Sequence, residues 1–187
     1  LAGRPLVGHV LAPARSLVPS RVLGVVRHVR AQVGGAVEGG ADEVSVIDQD
    51  DIPGTGRAVQ IALEPIPDYA GDVLVLSGDV PLLEPETLAA LIRSHRASGA
   101  AATVLSAVVD DATGYGRVIR DDDGSVSRIV EQKDASDDEA AISEINSGVY
   151  VFRAAPLRAH LDLVGEANAQ GERYLTDVIG LLRASRL

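Results

Sequence analysis

Apolar segments of two kinds alternate almost throughout this chain, and that alternation narrows the possible fold more than any other feature. Short strand-like runs fall at 21–26 (RVLGVV), 44–47, 72–77 (DVLVLS), 102–107 and 149–152. Between and around them lie stretches with helical spacing at 4–17, 29–38, 56–63, 85–98, 154–163 and 174–184. Pro13 breaks or kinks the first of these, Thr55 is available as the N-cap of the third, and Pro85 and Gly99 bracket the fourth. The run at 72–77 is the strongest buried-strand signal. A hairpin is expected from 116–120 to 126–131 across Asp123-Gly124. Strands alternating with helices predict an α/β, three-layer fold: a mainly parallel sheet covered on both faces, with the antiparallel hairpin at one edge. At 187 residues this is one domain, or most of one.

Charge and composition exclude several function classes. A net charge of −10 argues against grip on nucleic acid or an anionic membrane, both of which favour Lys and Arg patches. The absence of cysteine removes disulfides, thiolate catalysis and cysteine-based zinc sites. No apolar run reaches the roughly 20 residues of a membrane helix, so the cytoplasm is the expected compartment. The chain opens on Leu1 and contains no Met, so a native start upstream is expected. His9, His28, His95 and His160 show no metal-site spacing and read as structural or exposed.

Five short segments place polar residues or glycines beside strands. Ser77-Gly78-Asp79, followed by Val80-Pro81-Leu82, sits where the 72–77 run ends, and ligands of parallel α/β sheets bind beyond the carboxyl ends of strands. Gly78 allows close backbone approach, and Asp79 offers a hard oxygen ligand suited to Mg²⁺. The competing reading is a strand-end turn with Asp79 as a cap. Gln49-Asp50-Asp51-Ile52-Pro53-Gly54-Thr55-Gly56 leads into a helix and can expose backbone N–H groups, or is simply a glycine turn. It is neither a P-loop nor a dinucleotide fingerprint. Gly114-Tyr115-Gly116-Arg117, Ile129-Val130-Glu131-Gln132-Lys133 and Glu144-Ile145-Asn146-Ser147-Gly148-Val149-Tyr150 each read alone as turns or solvated strand ends.

Together they are more specific. Their order, with Tyr174-Leu175-Thr176-Asp177-Val178-Ile179 closing the series, resembles the N-terminal uridylyltransferase domain of the bifunctional UDP-N-acetylglucosamine pyrophosphorylase/glucosamine-1-phosphate N-acetyltransferase family, over essentially all 187 residues. The resemblance implies a Rossmann-like nucleotidyltransferase fold. It implies transfer of UMP from UTP to N-acetylglucosamine 1-phosphate, with Mg²⁺, giving UDP-N-acetylglucosamine and pyrophosphate for cell-wall precursor synthesis. Gln49, Gly54 and Thr55 match positions that recognise uracil; Ser77, Gly78 and Asp79 match the segment under ribose and phosphates, with Asp79 as catalytic metal ligand. Gly116, Glu131 and Asn146 match the positions that hold the N-acetylglucosamine moiety.

The resemblance also implies what lies outside the match. The family's first strand, its glycine-rich Leu-x-Ala-Gly-x-Gly-Thr-x-Met loop and a Pro-Lys pair belong upstream. A second metal ligand, an Asn, and a trimerising β-helix acetyltransferase domain belong downstream. Residues 1–187 are therefore expected to be an incomplete nucleotidyltransferase domain, either poorly stable or with its sheet split where the first strand would lie, and without turnover by this chain alone. Two other readings stand beside this: a non-catalytic sugar-nucleotide-binding fragment, and a nucleotidyltransferase of other sugar or nucleotide specificity. Arg57 occupies a position usually held by His, and reads either as exposed or as a phosphate contact; Arg27 precedes His28 where the family has Gly-His.

Overall fold

A ten-residue strand, Glu144–Arg153, organises most of the molecule. The computed structural model describes residue 3 and residues 5–27 and 44–187. In chain order the elements are α1 (Leu6–Ser16), β1 (Val22–Val26), β2 (Val44–Asp48), α2 (Thr55–Leu63), β3 (Asp72–Val75) and α3 (Pro85–Ser98). They continue with β4 (Ala102–Val108), β5 (Arg117–Arg120), β6 (Val126–Val130), α4 (Asp137–Ala140), β7 (Glu144–Arg153), α5 (Ala154–Leu161) and α6 (Asp177–Ala184). The helix expected at 29–38 lies outside the described residues.

β7 runs antiparallel to both β3 and β4, so those two strands share one direction with β7 inserted between them. Its N-terminal half meets β5, which closes the expected hairpin with β6. Among the described residues the parallel ladder is β1 on β2, in register from Val22 opposite Val44 to Val26 opposite Asp48. Among the described residues the fold thus contains a two-stranded parallel sheet and a five-stranded antiparallel one. The division expected from the family resemblance is present. A cavity of about 240 Å³ lies at the break, lined by Val7, Leu11, Val25, Val44, Val46 and Gly78, among others.

Alternation along β7 builds the two cores, because successive side chains of a strand point to opposite faces. Val149 and Val151 pack on one face with Leu88 and Leu91 of α3. Tyr150 and Phe152 pack on the other with Leu157 and Leu161 of α5 and Val178, Ile179 and Leu182 of α6. The sequence had suggested only 149–152 for this strand. Its first half, Glu144 to Gly148, is too polar to read as core, yet it pairs with β4 across a bulge after Leu105. The 72–77 run also differs from expectation. β3 is four residues long and only half-buried, because it pairs with β7 alone.

Helix ends follow ordinary capping physics with two surprises. α3 ends on Gly99 at φ 66, the left-handed position that glycine fills without strain. The short α4, unanticipated from sequence, carries a reciprocal capping box between Ser136 and Glu139. Thr55 does not cap α2; Gly54 holds that position at φ 118, and no side chain caps it. Among the described residues no helix is long and apolar enough to cross a membrane.

Candidate functional site

Glu131, Asn146 and Gly116 come from three neighbouring strands and meet. The Asn146 amide donates to the Gly116 carbonyl at 2.8 Å. A Cβ placed on Gly116 would lie 3.4 Å from Glu131 Oε2, so that glycine sits directly against the carboxylate. Asn146 Nδ2 donates to the Tyr150 hydroxyl at 2.6 Å, while its Oδ1 accepts from the Gly148 amide at 3.1 Å. Each atom keeps one further hydrogen or lone pair for a ligand. Glu131 Oε1 accepts from the Thr176 hydroxyl at 3.0 Å. Burial raises the Glu131 pKa, the Thr176 bond opposes this, and Asp134, Asp177 and Glu172 push it further up. Asp177 is raised likewise, by burial and then by Asp134. Glu131, Asp134 and Asp177 border a cavity of about 410 Å³ reaching toward α6.

Ser77 joins this group from the end of β3. Gly148 adopts φ 77, and a Cβ there would lie 2.8 Å from Ser77 Oγ. The close approach places the Ser77-Gly78-Asp79 turn beside the strand that carries Asn146. Gly78 and Asp79 are exposed, and Gly78 also borders the cavity at the sheet break. Among the described residues no group of three or more His, Cys, Asp or Glu side chains could hold a metal ion. Asp79 alone still suits Mg²⁺, which takes one or two protein carboxylates and completes its octahedron with waters and substrate phosphate.

Gln49, Gly54 and Thr55 form a second rim, at the end of β2. Both side-chain hydrogen bonds of Gln49 use its nitrogen, donating to the Ile52 and Gly54 carbonyls at 3.0 and 3.1 Å. Its carboxamide oxygen is thus the atom left for a ligand. Gly54 and Gly56 press on the backbone at Arg173, where Cβ atoms would lie 2.3 and 2.9 Å from its carbonyl oxygen. The contact is paired: Gly56 N–H donates to Arg173 O at 2.8 Å and Arg173 N–H to Pro53 O at 3.0 Å. Thr55 Oγ1 accepts from the Leu175 amide at 3.0 Å. Since Thr176 follows Leu175 and bonds Glu131, the segment 173–176 physically joins the two rims.

Several supporting residues carried no functional signal in the sequence. Tyr150 and Thr176 belonged to quoted motifs without a role. Arg117 is 3% exposed; it donates to Gln132 Oε1 at 2.9 Å, to the Ala140 carbonyl and to the Tyr115 carbonyl, bracing the loop that ends in Gly116. Arg57 is neither exposed nor free for a phosphate: its side chain is 17% accessible and grips Asp50 at 2.6 Å. His95 and His160 are structural, the former bonded to Thr103 and the latter to Pro156 O and Ser185.

Comparison with known proteins identifies the family and the fold. The sequence matches the profile of the Nucleotidyl transferase family over residues 26–185. It is 53% identical over 186 residues to the "Bifunctional protein GlmU" of Leifsonia xyli subsp. xyli, covering 99% of this chain and 38% of that protein. Its identity to the protein of the same name from Kineococcus radiotolerans is 55%, over 186 residues, with 99% and 38% covered. The chain therefore spans about two-fifths of the length of these relatives. Among solved structures, apo UDP-glucose pyrophosphorylase superposes with a TM-score of 0.72 at 13% identity, covering 97% of this chain and 76% of the other. UDP-glucose pyrophosphorylase complexed with UDP-glucose gives 0.71 at 13% identity, covering 98% and 76%. At that identity the likeness speaks for the fold alone.

Proposed function

The chain belongs to the nucleotidyl transferase family, and from that premise we propose that it carries the base- and sugar-binding parts of a uridylyltransferase that makes UDP-N-acetylglucosamine and pyrophosphate from UTP and N-acetylglucosamine 1-phosphate. The observation that carries the reading is the contact chain Ser77–Gly148–Asn146–Gly116–Glu131. It brings residues far apart in sequence to one place beside a strand end.

The chemistry asked of the protein is positioning. A phosphate oxygen of the sugar phosphate attacks the α-phosphorus of UTP in line; the bond to the β-phosphate oxygen breaks and pyrophosphate leaves. No protein nucleophile enters this balance, and orientation with charge neutralisation supplies the rate. The Gln49 carboxamide oxygen suits uracil, whose ring N3–H donates, and disfavours cytosine, whose N3 accepts. Glu131 and Asn146 hold the sugar through hydroxyl and amide groups. Asp79 would hold Mg²⁺, which when bound neutralises phosphate charge.

We place the triphosphate grip on residues outside these 187, in keeping with a chain that spans about two-fifths of the length of its relatives. Residues 1–187 then act as part of a nucleotidyltransferase domain, and trimerisation, acetyl transfer and a cytoplasmic setting belong to the longer protein in this reading. The test is titration of the chain with UDP-N-acetylglucosamine and UDP-glucose, alongside an assay of pyrophosphate release with Mg²⁺. Preferential binding of the N-acetyl sugar without turnover is expected. Equal affinity for both sugars, with Asn146→Ala binding as well as wild type, would sink the sugar assignment. Robust turnover would overturn the placement of the triphosphate grip.

A further inference from the structure

Arg57 is the first side chain after the Gly54-Thr55-Gly56 turn, and it reaches back across the loop rather than out to solvent. Its Nε and Nη2 both bond the Asp50 carboxylate, at 3.0 and 2.6 Å to Oδ2. Its Nη1 donates to Gln60 Oε1 at 2.8 Å on α2 and lies 3.5 Å from Glu64 Oε1. A two-point hold of this kind fixes direction as well as distance, which an ammonium cannot do. The clamped carboxylate is itself part of the loop: Asp50 Oδ1 accepts from the Ile52 amide at 3.2 Å. Ile52 in turn offers the carbonyl to which Gln49 Nε2 donates at 3.0 Å. A continuous path of contacts therefore runs from α2 through Arg57, Asp50 and Ile52 to Gln49. The loop is also held by Arg27 Nη2, which donates to the Asp51 carbonyl at 3.5 Å, and at its far end, where Pro53, Thr55 and Gly56 bond residues 173–175.

We propose that Arg57 is a positioning residue for base recognition, holding Asp50 so that the Gln49 carboxamide keeps its nitrogen turned inward and its oxygen toward the base. This rests on the uridylyltransferase reading and adds to it a residue that contacts no substrate. Releasing the clamp lets the Asp50–Ile52 segment, exposed at Asp50 and Asp51, relax. Gln49 can then rotate its amide and present a donor, so uracil loses its advantage over cytosine.

The experiment is an NMR titration of the full chain with UDP and, separately, CDP, for wild type, Arg57→Ala, Arg57→Lys, Asp50→Ala, the double variant and Gln49→Ala. Wild type should prefer UDP. Arg57→Ala should weaken UDP about tenfold, the scale of one lost hydrogen bond, and leave CDP unchanged. Arg57→Lys should recover part of the preference. Asp50→Ala, on an exposed loop, should match Arg57→Ala, and the double variant should be no worse than either single one. Retention of the wild-type preference by both Arg57→Ala and Asp50→Ala, while Gln49→Ala loses it, overturns the clamp and leaves the uridylyl reading standing. Equal weakening of UDP and CDP also overturns it, since that marks a phosphate contact. A wild-type chain with no preference for UDP removes the uridylyl reading and the clamp with it.

Discussion

The two sheets support one site with very different backing. The five-stranded sheet is packed on both faces, and β7 contributes Val149, Val151 and Phe152 with no accessible surface. Among the described residues the two-stranded sheet has one buried residue, Val44, and neither core cluster includes a residue of β1 or β2. Yet Gln49 stands at the end of the lightly packed sheet, while Gly116, Glu131 and Asn146 stand on the densely packed one. The proposed sugar rim is thus built on the part of the molecule that holds it together. The base rim is built on a part that depends on loop contacts, chiefly those of Pro53–Gly56 with residues 173–175.

The contrast is broken most directly at its strong end. Phe152→Ala should cost about 3–5 kcal/mol, the range for emptying an aromatic from a packed core. Urea unfolding measures it, and a loss near 1 kcal/mol would mean that the five-stranded sheet is no better packed than its neighbour. Next comes the seam between the two. Gly54→Ala should cost about 2–3 kcal/mol, because φ 118 is strained for any side chain and the new Cβ would meet the Arg173 backbone. It should weaken UDP binding more than binding of N-acetylglucosamine 1-phosphate; equal losses would show that the seam does not serve the base rim selectively. Val46→Ala in β2 should cost only about 1 kcal/mol, as expected for half-buried methyl groups. Hydrogen exchange should show β1 and β2 amides opening well before those of β7. Matching protection would contradict the proposed difference.

How far the sequence anticipated this depends on what each residue reports. Helix α3 was readable to the residue because Pro85 and Gly99 mark both ends by local chemistry. The hairpin was readable because Asp123-Gly124 specifies its turn. β7 was half-readable: apolar alternation reveals Val149 to Phe152, but a strand entering a site carries Glu144, Asn146 and Ser147, which look like loop. The bond direction of β7 relative to β3 and β4 is a long-range fact that no local pattern encodes. The named site residues followed from family resemblance, while their supports did not. Thr176 and Tyr150 act on Glu131 and Asn146 across 45 and 4 residues, and nothing in composition points from one to the other. Arg57 read as exposed or as a phosphate contact, and neither reading anticipates Asp50, seven residues back, in its grip.

The smallest expected effect also separates the two rims, by sign. On the base rim, the Arg57 guanidinium holds the Asp50 carboxyl below its ordinary range, so the pair's contribution is present at neutral pH and is lost as pH falls through that depressed value. On the sugar rim, burial raises Glu131, so the folded chain retains a proton that the unfolded chain has already released. Stability therefore falls as pH rises from the ordinary carboxylate range to the raised value, and is level above it. Glu131→Gln removes that penalty. Its stability relative to wild type should increase across this window, whereas that of Asp50→Asn should not. Urea midpoints measured from acid to neutral pH test the pair, and a Glu131→Gln difference that stays flat with pH would show that Glu131 ionises in the folded chain as freely as in the unfolded one.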